Sequence, residues 1–484
     1  MLARAVTHAL VGLDPRRVEV EAHVGNGTPA FVIVGLPDRA CAEARQRVRS
    51  GIASAELRFP RGKVTVNLAP AGLRKEGSAY DLPIALSILA AAGQLPHDEL
   101  ARHASVGELA LDGRLRRVGG VLAVAEGARR LGIERLLCPA EAAAEAALAG
   151  VEPVPVRHLA DAVAYLRGEL EPGPILPSRR PEAPPVPDLA EVRGQERARR
   201  ALELAAAGGH NLLLGGPPGT GKTMLARRLP GILPPLDEEA ALEVTRIHSV
   251  AGLLPPEQPL VERPPFRAPH HSASTAAIVG GGPSIRPGEA TLAHGGVLLL
   301  DEFAEFARPT LEALRQPLED GVICIARAAG RAVFPARFQL VATMNLCPCG
   351  ARGDRKVECR CSPQRLAAYR EKLSRALLDR FDLVVAVPRA KAGELAAGPA
   401  EASSNVAERV AVARHRLATA SLPRAAEADT LLSRAVERLP LSGRGRARVA
   451  RVARTIAALA GTQRVEAEHI AEALAYRSPH ELAA

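Results

Sequence analysis

The sequence is poor in aromatic residues and contains no tryptophan. Only four tyrosines and eight phenylalanines occur among its 484 residues, so its hydrophobic cores must be built from Ala, Leu and Val. Cysteine is also scarce, and an odd count of seven in a chain of this length argues against a secreted, disulfide-held scaffold. No run of about 18 apolar residues occurs, which argues against a membrane-spanning helix.

The first 15 residues, MLARAVTHALVGLDP, lack the apolar core and the cleavage site of a secretory signal. We therefore expect a cytoplasmic protein. What the sequence has in excess is positive charge, with a formal net charge of +10 carried mostly by arginine. This balance favours an anionic partner, with nucleic acid ahead of a membrane surface, although a solvated basic surface would explain it equally well.

The length predicts two to four domains, and one boundary is visible in the composition. Seven prolines between positions 172 and 187 exclude helix and sheet interior, so residues 171–188 are predicted to be an extended linker. Residues 1–170 alternate strand-like and helix-like segments, which is typical of a mixed α/β domain, and Asp112-Gly113 predicts the turn of a hairpin.

The rest of the chain divides into two further predicted parts. Residues 189–388 alternate helical stretches with strand-like runs at 211–214, 297–300 and 338–343, a pattern that predicts an α/β core with a parallel sheet. Residues 389–484 are rich in Ala and Arg with helical periodicity, which predicts a C-terminal helical domain.

A glycine-rich loop lies between a strand-like and a helix-like segment in the middle of the chain. The stretch GGPPGTGKTM at 215–224 satisfies the pattern G-x-x-x-x-G-K-[ST], whose backbone N–H groups approach phosphate oxygens. Lys222 is predicted to bind the β- and γ-phosphates of ATP, and Thr223 to bind Mg²⁺. The predicted nucleotide-binding residues are Gly216, Pro217, Pro218, Gly219, Thr220, Gly221, Lys222 and Thr223.

Two further strand ends carry polar side chains suited to the same chemistry. Asp301 and Glu302 follow the apolar run 297–300, and carboxylates at that end of a parallel strand face the ligand crevice. Asp301 is predicted to hold the Mg²⁺ shell and Glu302 to polarise the attacking water. Asn345 ends a third strand and is suited to orienting that water. Together the three segments predict ATP hydrolysis.

These segments carry a family resemblance. GPPGTGKT, GVLLLDE, TMN and LLDRFDL resemble the Walker A, Walker B, sensor 1 and arginine-finger segments of AAA+ ATPases. FRAPHHSAS, LRQPLEDG, MNLCPCG and the opening segment from VGLPDRACAEARQRVRSGI to DLPIAL resemble one branch, the Mg-chelatase-like ComM/YifB family. The resemblance implies a Lon-protease-like N-terminal domain (ribosomal S5 domain 2-like), an AAA+ core and a helical lid.

The resemblance also assigns two arginines and an assembly state. It implies that Arg380 is an arginine finger acting on ATP bound by the neighbouring subunit of a homo-hexamer, and that Arg444 is the sensor 2 arginine of the lid. From the sequence alone, a helix-end ion pair would be the simpler reading of Arg380.

Two insertions within the predicted core suggest how a ring would hold DNA. One lies among the 78 positions from Thr223 to Asp301, and the other is a strand–turn–strand segment before Asn345. In the related branch such insertions project into the central pore. The residues predicted to contact the DNA backbone are Arg267, His270, His271, Arg327 and Arg331, although a solvated hairpin face remains an alternative.

Four cysteines lie close together after Asn345, in CPCGARGDRKVECRC at 347–361. Cys347, Cys349, Cys359 and Cys361 have the count for a tetrahedral Zn²⁺ site. The C-x-C spacing is tighter than the usual C-x₂-C, so four reduced or redox-active thiols remain an alternative.

The Lon-like resemblance raises the question of proteolysis. Ser78 lies near the expected serine position, but Val121-Leu122 stands where Lon-like peptidases carry the lysine, and Lys75 is on another segment. We therefore predict a non-peptidase module for assembly or nucleic-acid binding. Its candidate DNA-contacting residues, which would equally suit a solvated face, are Arg45, Arg47, Arg49, Arg58, Arg61, Lys63, Arg74 and Lys75.

The resemblance implies an ATP-driven DNA motor with helicase or branch-migration activity, which extends heteroduplex during recombination in natural transformation. Other recombination proteins are possible partners. Two alternatives stay open: a Mg-chelatase-type motor subunit and an ATP-dependent Lon-like protease.

Overall fold

The computed structural model describes residues 1–175, 186–282, 285–327, 330–354, 356–396, 398–439 and 441–477. Residues 176–185, most of the predicted linker, lie outside this description, as does the side chain of Arg327.

The N-terminal part is built on a mixed seven-stranded sheet. Its strands are β1 Leu2–Val11, β2 Asp14–Gly25, β3 Ala30–Val34, β4 Lys63–Ala69, β5 His103–Ser105, β8 Arg135–Pro139 and β9 Glu152–Val156, while β6 Glu108–Leu109 and β7 Leu115–Arg116 form the predicted hairpin. The spatial order is β3-β4-β2-β1-β5-β8-β9. β1, β2 and β4 pair antiparallel, and the remaining neighbours pair parallel.

Seven helices accompany this sheet: α1 Arg39–Ala42, α2 Ala44–Ser54, α3 Asp81–Ala91, α4 His97–Ala101, α5 Val121–Arg130, α6 Ala143–Ala147 and α7 Leu159–Leu166. Every residue of α3 is buried, as its almost uninterrupted apolar sequence predicts. Together with the inward faces of β1, β2 and β4 it forms a core made mainly of Ala, Val, Leu and Ile, as the scarcity of aromatic residues requires.

The middle part contains a five-stranded, wholly parallel sheet, which confirms the predicted α/β class. Its strands are β10 Leu212–Gly215, β11 Phe266–Arg267, β12 Val297–Leu300, β15 Gln339–Met344 and β16 Leu383–Ala386. They lie in the order β11-β12-β15-β10-β16. All four residues of β10 and of β12 are buried, as expected for strands covered on both faces.

The helices of this part are α8 Glu196–Gly208, α9 Lys222–Ala226, α10 Glu238–Val250, α11 Thr275–Val279, α12 Glu289–Leu292, α13 Arg308–Ala313, α14 Arg315–Asp320, α15 Pro363–Glu371 and α16 Arg375–Leu378. β13 Val322–Arg327 and β14 Gly330–Pro335 form the second predicted hairpin. Its residues alternate between a buried face that includes Ile323 and Phe334 and an exposed face that includes Arg331.

Five helices end the described chain: α17 Ala392–Ala396, α18 Ser403–Thr419, α19 Ala426–Arg438, α20 Gly443–Ala460 and α21 Ala467–Ala475. The apolar faces of α18 to α21 share one continuous core with α8 and the parallel sheet. None of the helices described in the structure has the length and apolar character that crossing a membrane requires.

The N-terminal part contacts the middle part through α10. Arg246 of α10 donates two hydrogen bonds to Glu126 of α5, at 3.0 and 2.5 Å. The buried Glu145 of α6 accepts hydrogen bonds from Ser249 of α10 and from Arg117, at 2.5 and 2.6 Å. Charged and polar side chains, rather than a shared apolar core, therefore join the two parts at this contact.

Candidate functional site

The glycine-rich loop lies at the edge of the parallel sheet where the strands have their carboxyl ends. Residues 216–221 join β10 to α9. A Cβ at Gly216 would stand 2.3 Å from the carbonyl oxygen of Val387, and Gly219 and Gly221 have φ angles of +74° and +90°. Close approach at the first position and left-handed backbone at the other two explain why glycine is required there.

Lys222 begins α9, and its side chain is buried under the loop. The ammonium donates hydrogen bonds to the carbonyl oxygens of Gly216 and Pro217 at 2.9 and 2.7 Å, and to Asn345 Oδ1 at 3.2 Å. Burial lowers the pKa of the Lys222 ammonium, and Asp301 and Glu302 oppose that change. The Lys222 side chain therefore lies in the space that the loop offers to a phosphate. The oxygen atoms that accept its hydrogen bonds are ones that phosphate oxygens could replace.

Asp301 connects the loop to the neighbouring strands. Its Oδ1 accepts hydrogen bonds from Thr223 Oγ1 at 2.8 Å and from Thr343 Oγ1 at 2.5 Å. The structure therefore brings Thr223 and Asp301, the two residues predicted to hold Mg²⁺, into direct contact. Hydroxyl and carboxylate oxygens are ligands that Mg²⁺ prefers, so this pair fits the ion. Thr343 was not predicted; a hydroxyl two positions before Asn345 on a strand paired with β12 is the signal that could have found it.

Glu302 adopts a left-handed backbone conformation, with φ of +56°. Such a conformation costs a non-glycine residue about 1–3 kcal/mol and is most often found at functional sites. Its backbone N–H donates to Thr343 Oγ1 at 3.2 Å, and its side chain is 57% exposed. The carboxylate therefore stands at the open edge of the sheet, where water can reach it.

Asn345 is fixed from two sides. Its amide oxygen accepts from Lys222, and its backbone carbonyl accepts from the hydroxyl of Tyr369 at 3.1 Å. Tyr369, on α15, was not predicted because its contact depends on how the chain returns after the cysteine-containing loop.

Arg380 and Arg444 lie at the opposite edge of the sheet. Both form ion pairs with Glu319, that of Arg444 at 2.9 Å. They line a cleft of about 940 Å³, together with residues that precede or begin the parallel strands: Asn211, Gln339 and Asp382. Because amino ends and carboxyl ends of parallel strands lie on opposite edges, the sheet separates both arginines from the P-loop of their own chain.

The comparisons agree with this geometry. Residues 188–395 match the family model "Magnesium chelatase, subunit ChlI", residues 20–142 match "Subunit ChlI of Mg-chelatase", and residues 400–477 match "Magnesium chelatase, subunit ChlI C-terminal". An uncharacterized protein of Mycobacterium tuberculosis is 44% identical, with 98% of each chain covered.

Two named relatives are similar over nearly their whole length. The uncharacterized protein YifB of Salmonella typhimurium is 42% identical over 99% of this chain and 97% of its own. The competence protein ComM of Haemophilus influenzae is 41% identical over 99% of this chain and 97% of its own. The chain belongs to the ComM/YifB family. The resemblance seen in the motifs is thereby confirmed, and the Mg-chelatase-like AAA+ relationship implies ATP and Mg²⁺ as ligands.

The residues of this ComM/YifB-family chain that were predicted to contact DNA do not form one group. Arg331 is exposed on β14, and the backbone of Arg327 lies opposite Gly330 at the end of the hairpin. Arg267, however, donates two hydrogen bonds to Glu289, at 2.6 and 2.8 Å. That bidentate ion pair engages two of its guanidinium nitrogens, and a DNA contact by Arg267 stays a prediction.

His270 and His271 stack on each other, with ring centroids 4.1 Å apart. His271 Nδ1 lies 3.3 Å from a carboxylate oxygen of Glu302. The segment that carries them, which was predicted to reach a pore, therefore extends to the candidate ATP site. Sequence reasoning missed this contact because β11, the strand before the histidines, has only two residues.

The residues of the predicted basic face of the N-terminal part fall into two groups in the structure. Lys75 is fully buried and donates to the carbonyl of Pro70, and Arg47 is paired with the buried Asp81 at 2.6 Å. Neither is available to a phosphate backbone, because Lys75 is itself buried and Arg47 is paired with a buried carboxylate. The remaining predicted residues are exposed: Arg45, Arg49, Arg58, Arg61, Lys63 and Arg74.

The candidate peptidase residues are engaged elsewhere. The hydroxyl of Ser78 donates to the carboxylate of Glu108, while Lys75 donates to Pro70. Leu122 is buried in α5. Among the described contacts, no lysine reaches Ser78.

The four predicted metal ligands lie close together in the structure. The sulfur atoms of Cys347, Cys349, Cys359 and Cys361 all lie within 4.8 Å of one another. The backbone N–H of Ala351 is the main reason that the pKa of the Cys349 thiol is lowered to about 6, which favours the thiolate that binds metal. The set fits a tetrahedral Zn²⁺ site.

Proposed function

We propose that this chain is an ATP-hydrolysing motor that acts on DNA. In this proposal Lys222 and residues 216–221 bind the phosphates of ATP. Thr223 and Asp301 would hold Mg²⁺, which neutralises phosphate charge when bound. Glu302 accepts the proton of the attacking water, and Asn345 orients that water. The contact of Asp301 with both Thr223 and Thr343 carries the ATP-hydrolysing part of this proposal, because it joins the glycine-rich loop to the strands that end just before Asp301 and Asn345.

Arg380 and Arg444 are proposed to complete the site of a neighbouring subunit. Their place at the opposite edge of the sheet supports this role, since the phosphates bound by their own chain lie on the other side. Fully charged guanidinium groups suit the charge that develops on the γ-phosphoryl oxygens. A finger supplied in this way requires a ring, and we propose a homo-hexamer whose parts are residues 1–170, 189–388 and 389–484.

The proposed substrate is single-stranded or branched DNA in the cytoplasm. The exposed Arg331 on the hairpin and the net charge of +10 support phosphate contact. The name of the Haemophilus influenzae relative, a competence protein, supports a role in natural transformation. We therefore propose helicase or branch-migration activity that integrates incoming DNA, together with other recombination proteins, and a structural Zn²⁺ held by the four cysteines.

Two other functions compete with this proposal. A Mg-chelatase-type motor subunit would use the same ATP site, and its ATPase rate would not respond to DNA. A Lon-like protease would need a lysine that activates Ser78, and the hydroxyl of Ser78 donates to Glu108 instead.

The decisive experiment measures ATPase rate and strand displacement on single-stranded, forked and four-way DNA. We expect DNA to raise the ATPase rate of the wild-type chain and Glu302→Gln to abolish hydrolysis while ATP still binds. Glu371→Gln, which changes an exposed glutamate of α15, is the matched control and should behave as wild type. An ATPase rate that is the same with and without every DNA would refute the DNA motor and favour the chelatase alternative.

A further inference from the structure

The cysteine-containing loop is packed against the glycine-rich loop. We call residues 346–361 the cysteine loop; it begins directly after Asn345. A Cβ at Gly350 would lie 2.9 Å from Pro218 Cδ and 3.1 Å from its Cγ. These distances leave no room for a side chain at position 350. The backbone of the cysteine loop therefore lies directly against Pro218 of the glycine-rich loop.

Gly353 shows a second close contact of the same kind. A Cβ there would lie 3.0 Å from Leu346 Cδ1 and 4.0 Å from Pro217 Cδ, and its φ of +81° favours glycine. The cysteine loop therefore contacts both prolines. Pro217 is buried and its carbonyl accepts from Lys222, whereas Pro218 keeps an exposed side.

An ion pair ties the same loop to the other side of the P-loop. Asp354, whose side chain is almost fully buried, accepts from Arg389 at 2.8 Å. Arg389 lies two residues after Val387, and the Val387 carbonyl is the group that approaches Gly216. The cysteine loop thus contacts the middle of the P-loop directly and its beginning through residues 387–389.

The sulfur atoms are spaced as a bound metal requires. The distances are 3.4 Å for Cys347–Cys349, 3.7 Å for Cys349–Cys359 and 3.6 Å for Cys347–Cys359. Tetrahedral ligands at the usual Zn–S distance stand roughly 3.8 Å apart. The backbone N–H of Arg352 donates to Cys347 Sγ at 3.3 Å, which holds this sulfur in place. One ion would therefore join the two ends of the cysteine loop.

We propose that Zn²⁺ bound by these four cysteines closes the cysteine loop into the outer wall of the ATP site, so that metal occupancy sets the affinity for nucleotide. This inference rests on the proposed ATP-binding function and adds a control of it. Without the metal, the loop would be anchored only by its packing and by Asp354, and the P-loop prolines would lose a fixed support.

The first test compares three proteins for bound zinc and for binding of a fluorescent ADP analogue in excess Mg²⁺. Cys359→Ser removes a proposed ligand whose sulfur atom contacts those of Cys347 and Cys349. Cys324→Ser changes an exposed cysteine of β13 and is the matched control. We expect about one zinc per chain in wild type and control, loss of zinc in Cys359→Ser, and nucleotide affinity about tenfold weaker in that variant alone.

The second test keeps the wild-type sequence, so that a misfolded variant cannot obscure the result. A zinc-selective chelator removes the metal while Mg²⁺ stays in excess, and zinc is then added back. We expect nucleotide affinity to fall and to return, and hydrogen exchange of residues 216–223 to quicken and slow in step. Zinc loss with unchanged affinity and exchange would overturn the inference, as would wild-type protein without zinc. Wild-type protein that holds zinc but binds no nucleotide would instead refute the proposed function.

Discussion

Asp301 is the residue on which the candidate site depends most closely. A single carboxylate oxygen accepts hydrogen bonds from Thr223 and Thr343, and the same Thr343 hydroxyl accepts from the N–H of Glu302. Thr343 therefore sets the orientation of the predicted Mg²⁺ ligand and of the strained residue beside it. It acts through other residues and is a positioning residue.

We expect Thr343→Val to raise the Mg²⁺ concentration needed for half-maximal ATPase rate by about tenfold, because a hydrogen bond to a charged group contributes about 1.5–3 kcal/mol. The change keeps the shape of the side chain. Thr291→Val is the control, since Thr291 is equally buried and its hydroxyl has no partner among the described residues. Titration of Mg²⁺ against rate separates the two, and an equal response of both variants would contradict the positioning role.

For single residues, the sequence predicted the candidate site best where a polar side chain directly follows a predicted strand. Lys222, Asp301 and Asn345 meet as predicted, because the carboxyl ends of parallel strands share one edge of a sheet. Whether a given arginine or lysine is exposed or paired was harder to predict from the sequence. In the sequence, Arg267 and Lys75 resemble exposed basic residues. In the structure, Glu289 at the start of α12 pairs with Arg267, and the carbonyl of Pro70, five positions earlier, accepts from Lys75.

At the scale of elements, the hairpin of β13 and β14 combines a buried and an exposed face. Ile323 and Phe334 pack inward, as strict alternation predicts. The hairpin is also braced by the turn between β1 and β2: a Cβ at Gly12 would lie 2.9 Å from Ala332 Cβ. Alternation predicted the faces, but no local pattern could predict a brace from a segment more than 300 positions away.

Arg331 is exposed on this hairpin and is proposed to contact DNA. We expect Arg331→Glu to weaken DNA stimulation of the ATPase by at least about threefold, because each phosphate contact adds salt-dependent affinity of that order. The basal rate should stay unchanged, since the residue does not touch the ATP site.

DNA titrations at two salt concentrations check this prediction, with Arg434→Glu on the exposed side of α19 as the control. The loss should be largest at low salt, where unscreened charges act furthest. A basal rate that falls together with the stimulated rate would indicate a damaged fold rather than a lost DNA contact.

At the scale of the whole molecule, the two edges of the parallel sheet carry two separate groups of charged residues. The P-loop lies at one edge, and the cleft with Arg380, Arg444 and Glu319 lies at the other. Within one chain, Glu319 forms an ion pair with each arginine, in place of the phosphate that they are proposed to meet. Periodicity predicted the C-terminal helices, but not that they share a core with α8 and hold Arg444 at this edge, since that packing is long-range.

This arrangement makes a prediction about mixed rings. Lys222→Ala removes the phosphate-binding lysine, and Arg380→Ala removes the arginine at the opposite edge. If each ATP site combines Lys222 of one chain with Arg380 of the next, either variant alone should lose nearly all activity, because an arginine finger typically contributes 10³–10⁵ in rate. Random mixing of equal amounts should restore about a quarter of the sites, since a head-to-tail interface then pairs an intact lysine with an intact arginine.

ATPase rates of the two variants and their mixture, measured above the assembly concentration, provide the test. A mixture of Lys222→Ala with Arg434→Ala, which keeps every proposed catalytic group in the second chain, sets the upper reference. Recovery in the Arg380→Ala mixture but not in either variant alone would place the finger in the neighbouring chain. If both variants assemble and their mixture stays inactive, Arg380 must act on the ATP of its own chain. The proposal that neighbouring chains share each ATP site would then be refuted.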